Sequence, residues 1–573
     1  MPAENIANSQ RALAALAVAL ATVMFILPLA IPFPLVDPDE GLHASIAQEM
    51  AEGGDWIIPR FLGQPFLDKP VFYFWVQAAS LKLFGSCEAA VRLPGLMFGL
   101  LGAVTTGLLG WRMFGRATGL IAGILYATTI LPTALAQAAS HDVALIPWIN
   151  LSLLLLWEGE HRGDRRVAVL CTLGAGISLG LAVLTKGLFG VAAVGLAYGG
   201  YLAITRRINS AAILRGVAVL ATAALISAPW YLAAEMQMPN YLRYFFLERH
   251  VLGFTTGSQP HGDQAWWYYL PILLGGGLPW IGYLPLVVQQ QWACRGGDCP
   301  HFRGHRGTAV VDEKGTVPFV SPMPLLWCWL IGWTLLMALA GSKLATYLLP
   351  AFPPIAILAA TAWHGLIVGS LLPNVQRAFT RTFVYSTWSG PLVLPAVVLA
   401  VRITFGAHFG WPVWIAVGVA AAVSLLPIVP WRAGRWQAGL IAAVISLALQ
   451  FVVILTMVLP PVAEEFSARD LAEHFNRAGH LPSRLLIAEG RLGSLVFYLN
   501  HRLRAEIDPN RVQQVTAEEL PALVPGDVVA VPQRKIRNFR RYHNLDGNRD
   551  KSVDGYQLYY VDSPGSPSAG VEP

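Results

Sequence analysis

Charge is scarce in this chain. Asp, Glu, Lys and Arg together make up 13% of its 573 residues, where a soluble globular protein carries about 25%. With 55% of the residues hydrophobic, most of the length cannot be kept in water, which excludes an ordinary soluble enzyme. Cysteine is also scarce, and the five present form no disulfide framework, because Cys171 and Cys328 fall inside apolar runs. Cys294 and Cys299 have no second Cys/His pair beside them at zinc-site spacing. A clustered basic surface is missing too: the net charge is +6, but the cations are scattered between apolar runs as markers of topology, and no nucleic-acid partner is expected. Ionisable residues are nearly absent from the interiors of those runs. That argues against a proton- or ion-coupled transporter, which needs them within its spans.

What fills the chain is apolar runs long enough to cross a bilayer, which takes roughly 20 residues each. They fall near 13–35, 91–110, 117–137, 143–157, 167–184, 187–204, 213–232, 267–288, 325–341, 346–366, 383–401, 411–429 and 437–460, about thirteen in all. The first is too long for the apolar core of a signal peptide and lacks a small-residue cleavage site, so it reads as a retained helix. Arg112 and Arg116, the Arg162, Arg165 and Arg166 group, Arg206, Arg207 and Arg215, then Arg377 and Arg381, then Arg432 and Arg435 occupy alternate connections. Those connections are therefore cytoplasmic and the N-terminus lies inside. Isolated cations (Lys186, Lys343, Arg402) mark the outer connections, and an odd number of helices leaves the C-terminal segment outside. The expected fold is an all-α polytopic membrane protein over 1–460, with a small α/β soluble domain over 461–573 ending in a loose tail from Pro564. Residues 36–90 form a first outer loop with two interfacial helices, 232–266 a second outer loop, and 290–324 a disordered inner loop. In the C-terminal segment Arg484-Leu-Leu-Ile-Ala, Leu495-Val-Phe-Tyr-Leu and Asp527-Val-Val-Ala-Val read as strands. Ser467 to Ala478 reads as a helix capped by Ser467.

Charge gathers in the outer loops beside aromatic residues, an arrangement suited to a lipid whose polar head sits at the interface. Asp39, Glu40 and His43 open a helix after Pro38, and Asp39 and His43 share a face one turn apart. Asp37 or Asp39 serves either as a helix cap or, for Asp39, as a general base toward an acceptor hydroxyl or amine. Lys69, in Asp68-Lys-Pro before Phe72-Tyr-Phe-Trp, is either a snorkelling interface lysine or an ammonium that grips a lipid phosphate. Asp142, in Ser140-His-Asp, is locally best read as part of a helix cap. Arg249 and His250 are candidate phosphate or sugar contacts. His261 with Asp263 is a weak metal pair or loop polarity, and Trp266 to Tyr269 is an interface anchor. Lys343 and Tyr347 stand one turn apart in Ser342-Lys-Leu-Ala-Thr-Tyr.

The order of these motifs resembles the GT-C membrane glycosyltransferases of the protein O-mannosyltransferase type, and most closely the bacterial lipid A aminoarabinose transferases. The motifs that carry the resemblance run over roughly 10–360: Asp39-Glu, Gly54-Asp-Trp-Ile-Ile-Pro, Asp68-Lys-Pro, Ala90-Val-Arg-Leu-Pro, Asp142, Arg249-His before Trp-Trp-Tyr-Tyr-Leu-Pro, and Ser342-Lys-Leu-Ala-Thr-Tyr-Leu-Leu-Pro. The resemblance implies thirteen spanning helices and an outer soluble domain. It implies that Asp39 is the catalytic carboxylate and Asp142 a second essential acid. Lys69 would hold the carrier phosphate, with Asp68 where the family more often has Glu, and Tyr347 would be a further donor contact. The family often has Arg-Phe after its Glu-His, whereas Gly253-Phe254 stands here, so the second phosphate cation is expected to be Arg249, Arg243 or Lys343.

The implied activity is inverting transfer of aminoarabinose or a related sugar from undecaprenyl phosphate to a periplasmic acceptor such as lipid A. A protein acceptor, or a flippase that grips the same lipid phosphate without chemistry, are the competing readings. A monophosphate leaves as a stable anion, so no cofactor is required. Glu40, His43, Asp68, His250 and His261 remain open as substrate contacts or as ligands of a divalent metal. A monomer in the bacterial inner membrane is expected.

Overall fold

The computed structural model describes residues 3–256, 264–293, 321–405, 409–507, 509–543, 549–553 and 555–561. His261, Asp263, most of the expected inner loop (294–320), both of its cysteines and the tail from Pro564 lie outside the described residues. Each of the thirteen apolar runs falls on a helix or a bent helix pair. Among the described residues nine helices are long and apolar enough to cross a membrane, from Ser9–Ala30 to Trp436–Glu465. Two further pairs, Arg116–Ala127 with Ile130–Ala136 and Tyr269–Gly276 with Trp280–Ala293, pass the same test together but bend by 64° and 93°. Phe189–Ile204 and Met323–Leu339 are shorter apolar helices. The chain is a multi-pass membrane protein. Its outward-facing apolar side chains, Leu170, Leu214, Leu225 and Leu232 among them, are more than half exposed, as a lipid-facing surface requires.

Numbering the N-terminal helices in order gives α1 (Ala3–Ala21), α2 (Asp39–Gly53), α3 (Phe72–Phe84), α4 (Glu88–Phe114), α5 (Arg116–Ala127), α6 (Ile130–Ala136), α7 (His141–His161) and α8 (Arg165–Lys186). Without a hydrophobic drive between helices in lipid, close packing depends on small residues. At the α4–α5 crossing a Cβ on Gly119 would meet the Gly107 carbonyl at 2.6 Å. Two helices, α2 and α3, fall within the stretch 36–90 and are joined through the short antiparallel pair β1 (Arg60–Phe61) and β2 (Gln64–Pro65).

The first turn of α2 is tied to α4 by a buried ion pair. Arg92 Nε donates to Glu40 Oε1 at 2.8 Å and Arg92 Nη2 to Glu40 Oε2 at 2.9 Å. The same guanidinium donates to the carbonyls of Phe33 (2.8 Å) and Pro34 (3.0 Å). A fork so fully satisfied holds its geometry without water.

The C-terminal unit contains a mixed five-stranded sheet. Its strands are β3 (Arg484–Ala488), β4 (Val512–Val515), β5 (Asp527–Pro532), β6 (Arg549–Val553) and β7 (Tyr556–Tyr560), in the order β4-β3-β5-β7-β6. β3 runs parallel to both β4 and β5, and β7 pairs antiparallel with β5 and β6. Two of the expected strands are thus present, but Leu495–Leu499 is not a strand: Gly493–Tyr498 is a helix. An apolar run this short has no period of its own, and Leu495, Leu499 and Leu503, four residues apart, all enter one core. The expected helix begins at Arg469, two residues past Ser467, whose hydroxyl accepts from the Arg469 amide at 3.3 Å.

Candidate active site

α2, the Asp68-Lys69 loop, the end of α8, the segment Phe245–Phe254 and the Ser342–Tyr347 turn surround one cavity of about 300 Å³. Asp39, His43, Asp68, Lys69, Lys186, Arg249, His250 and Tyr347 all line it. The sequence therefore brings an acid of the first turn of α2 and a cation of the next loop into one cleft, although 30 positions separate them (69 − 39).

Asp39 and His43 reach the cavity from the same face of α2, one turn apart, as their spacing predicts. Asp39 is exposed to the cavity and makes no ion pair within 4 Å among the described residues. His43 Nδ1 lies 2.8 Å from the Ala139 carbonyl. Because a carbonyl only accepts, the proton is on Nδ1 and Nε2 carries the lone pair. Burial lowers the His43 pKa and keeps the ring neutral, and the Lys69 charge pushes the same way. Glu40, the next residue after Asp39, does not reach the cavity. It is committed to Arg92, so its expected role as a substrate contact is corrected to a structural one.

Lys69 is presented by the loop before α3 and has no ion pair among the described residues. Asp68, beside it, takes Arg249 Nη2 on one carboxylate oxygen (2.8 Å) and the Tyr244 hydroxyl on the other (2.6 Å). It is thereby a support for Arg249, and burial with the Asp68 bond pushes the Tyr244 hydroxyl up to about 12. His250 lines the cavity with Nδ1 donating to the Phe245 carbonyl at 2.7 Å, and burial lowers its pKa. It packs against Gly187, which has φ +64°, and a Cβ there would lie 2.5 Å from His250 Nε2. Among the described residues no group of three or more His, Cys, Asp or Glu could share a metal ion. Asp68, the expected anchor for one, has both oxygens taken by Arg249 and Tyr244.

The sequence marks Lys186 only as an isolated cation between apolar runs, and the structure makes it a central residue of the site. It ends α8, is 5% exposed, and is ion-paired with Asp142 on α7. Its ammonium sits 4.3 Å from the centre of the Tyr347 ring and 4.8 Å from that of Phe189. Ser140 is the N-cap of α7, accepting from the Asp142 amide at 3.3 Å, so the capping role belongs to the serine and the carboxylate is free to hold Lys186. A lysine at the polar end of an apolar run, one residue before a glycine, was the one available sign of it.

Lys343 is turned away. Ser342 and Leu344 line the cavity, while buried Lys343 donates its Nζ to the Ala340 carbonyl at 2.6 Å. Arg243 is 71% exposed and faces Glu248 at 3.6 Å. Of the cations expected as second phosphate ligands, Arg249 alone lines the cavity, with Gly253 and Phe254 beside it.

A family profile described as dolichyl-phosphate-mannose-protein mannosyltransferase matches residues 68–232. An undecaprenyl phosphate-alpha-4-amino-4-deoxy-L-arabinose arabinosyl transferase of Edwardsiella ictaluri is 33% identical over 346 residues, 59% of this chain and 58% of that protein. One of the same description from Pseudomonas paraeruginosa is 30% identical over 471 residues, 79% of this chain and 78% of its own length. The crystal structure of ArnT from Cupriavidus metallidurans bound to undecaprenyl phosphate superposes with a TM-score of 0.74 at 22% identity, covering 98% of this chain and 99% of that one. At that identity the likeness establishes the GT-C fold.

Proposed function

The chain belongs to the family of undecaprenyl phosphate-alpha-4-amino-4-deoxy-L-arabinose arabinosyl transferases, and on that premise we propose that it moves a sugar from undecaprenyl phosphate to an acceptor on the outer side of the bacterial inner membrane. The sugar is aminoarabinose or a close relative, and the acceptor a glycolipid such as lipid A. The observation that carries the reading is the shared cavity: a carboxylate with no ion pair among the described residues, Asp39, and three cations, Lys69, Lys186 and Arg249, line one cleft.

The donor enters with its phosphate among the cations and its prenyl chain in lipid. Asp39 takes the proton of the attacking amine or hydroxyl. The acceptor forms a bond to the anomeric carbon from the side opposite the phosphate, and the carbon–oxygen bond to phosphate breaks with its electron pair going to the departing lipid phosphate. Lys69 and Arg249 meet that growing charge directly. Lys186, fixed by Asp142, adds field from beneath. Preorganised charge of this kind is usually the largest catalytic term, and one such donor is worth about 100- to 1,000-fold. The N-terminus is cytoplasmic and the C-terminal unit periplasmic in this reading, which the arginine-rich connections on the side away from α2 support.

The test is transfer by the purified protein from an undecaprenyl-phosphate sugar to lipid A, followed by mass spectrometry. Wild type is expected to give sugar-bearing lipid A, and Asp39→Asn is expected to lose that product while still binding undecaprenyl phosphate. A protein that only moves the carrier across the membrane would tolerate Asp39→Asn, and unchanged flux in that variant would overturn the transferase reading.

A further inference from the structure

The residues next to Asp39 are held by the C-terminal unit, far away along the chain. Asp37 Oδ1 accepts from the Ser494 amide at 3.0 Å and Asp37 Oδ2 from the Ser494 hydroxyl at 2.5 Å. The same hydroxyl accepts from the Ala468 amide at 2.8 Å, and the Asp37 amide donates to the Phe466 carbonyl at 3.1 Å. About two turns past Asp37, within α2, Ser45 donates to the Gly493 carbonyl at 2.7 Å.

Between these bonds the two backbones touch. A Cβ on Gly41 would lie 2.4 Å from the Ser494 amide nitrogen, and one on Gly493 would lie 2.3 Å from that of Leu42. The far end of α2 is tied as well, by Arg504 to Glu52 at 2.7 Å. Tyr498 joins the segment before α2 to the start of α4, accepting from the Leu35 amide at 2.8 Å and donating to Glu88 at 3.0 Å. Of the residues on this seam Leu42 lines the cavity, whereas Asp37, Gly41, Ser45, Gly493 and Ser494 do not.

We propose that the C-terminal unit is a working part of the transfer site, with Asp37 and Ser494 as positioning residues that hold the first turn of α2, and so Asp39, against the cavity. The proposal rests on the transferase reading for its kinetic consequence. A solvent-exposed helix start is free to fray, because its first amides have no partner within the helix. Here the seam restrains the backbone on the N-terminal side of Asp39 through Asp37 and on the other side through Gly41. A displacement of about 1 Å at a reacting group costs about 100-fold in rate, so a restraint this close to the proton acceptor bears on turnover. It leaves the phosphate cations alone, since Lys69, Lys186 and Arg249 belong to other elements.

Three variants of the full-length protein test this. Asp37→Ala removes the acceptor. Gly493→Ala puts a methyl group where there is no room. Asp37→Asn keeps an oxygen for the Ser494 amide and offers the hydroxyl an N–H in place of the second oxygen. Transfer is measured as kcat and as KM for the undecaprenyl-phosphate sugar, and hydrogen–deuterium exchange is followed over residues 39–53 and, as an internal reference, 141–161. The expected result is kcat lower by about 100-fold in Asp37→Ala and Gly493→Ala with donor KM unchanged, faster exchange over 39–53 alone, and most of the rate kept in Asp37→Asn. The proposal is overturned if Asp37→Ala turns over like wild type. It is equally overturned if Asp37→Asn falls as far as Asp37→Ala, which would make Asp37 a charged participant, or if exchange over 39–53 in Gly493→Ala matches wild type. Should wild type itself fail to transfer sugar, the transferase reading fails, and the exchange data still decide whether the seam holds α2.

Discussion

Lys186 and Asp142 close on each other from α8 and α7 beneath the cavity, with the side chains only 5% and 13% exposed. Neither charge has water enough to stand alone. Removing one partner of a buried pair leaves the other uncompensated, at a cost of about 3–5 kcal/mol, whereas replacing both by apolar groups can be close to neutral. Lys186→Met and Asp142→Asn are therefore expected to destabilise the protein singly, and the double variant to recover much of the loss. Unfolding of the purified protein in detergent, run as a double-mutant cycle, checks this. Activity is expected to stay low in all three, because the cation beneath the phosphate is gone or displaced.

Asp68 has its effect through Arg249. One carboxylate oxygen accepts from the guanidinium and the other from the Tyr244 hydroxyl. Asp68→Asn is thus expected to lower activity about as far as Arg249→Gln, and the double variant to be little worse than either, since contacting residues in one network are not additive. Tyr244→Phe, which leaves the ion pair, is expected to be the mildest. Steady-state kinetics on the four proteins decides it, and fully additive losses for Asp68 and Arg249 would give Asp68 a separate role.

Much of this site was legible in the chain because its signals are local. The acids and Pro38 announce the start of α2, the spacing of Asp39 and His43 sets a common face, and the apolar runs give the spans. What was not legible depends on partners distant in sequence. Glu40 looked as available as Asp39, and only Arg92, 52 residues later, removes it. Lys186 and Lys343 are both lone cations at the ends of apolar stretches, and nothing nearby in sequence says that one enters the cavity and the other folds back on a carbonyl. The Asp37–Ser494 contact spans 457 positions and leaves no periodic trace. Leu495–Leu499 reads as a strand in sequence yet lies on the helix Gly493–Tyr498, because a short run of apolar residues fits a buried strand and a buried helix equally well.

Lys69 and Lys343 make a direct comparison. Lys69 lines the cavity with no ion pair among the described residues, whereas Lys343 is not a lining residue and its ammonium donates to the Ala340 carbonyl. Lys69→Gln is expected to cost about 100- to 1,000-fold in turnover, the scale of one removed charge-stabilising donor. Lys343→Gln should lose far less activity and show its effect as reduced thermal stability. Comparable losses of turnover in both would mean that Lys343 reaches the phosphate in the loaded enzyme.

Asp37 gives the seam between α2 and the C-terminal unit a pH signature of definite sign. Burial raises its carboxyl from 3.8 to about 6, against the two bonds from Ser494 that favour the charged form. Glu40 pushes it up further and Arg491 pulls it down. The folded chain then binds this proton more tightly than the unfolded chain, so the Asp37 contribution to stability grows as pH falls from about 6 toward 3.8 and is lost as pH rises through about 6. Asn at this position cannot take up the proton. The melting temperature of wild type relative to Asp37→Asn is therefore expected to rise between about pH 7 and pH 5, whatever the other carboxylates contribute, because they are common to both proteins. A difference that stays constant over that interval would mean that the carboxyl is ionised throughout, with its charge fully compensated by Ser494.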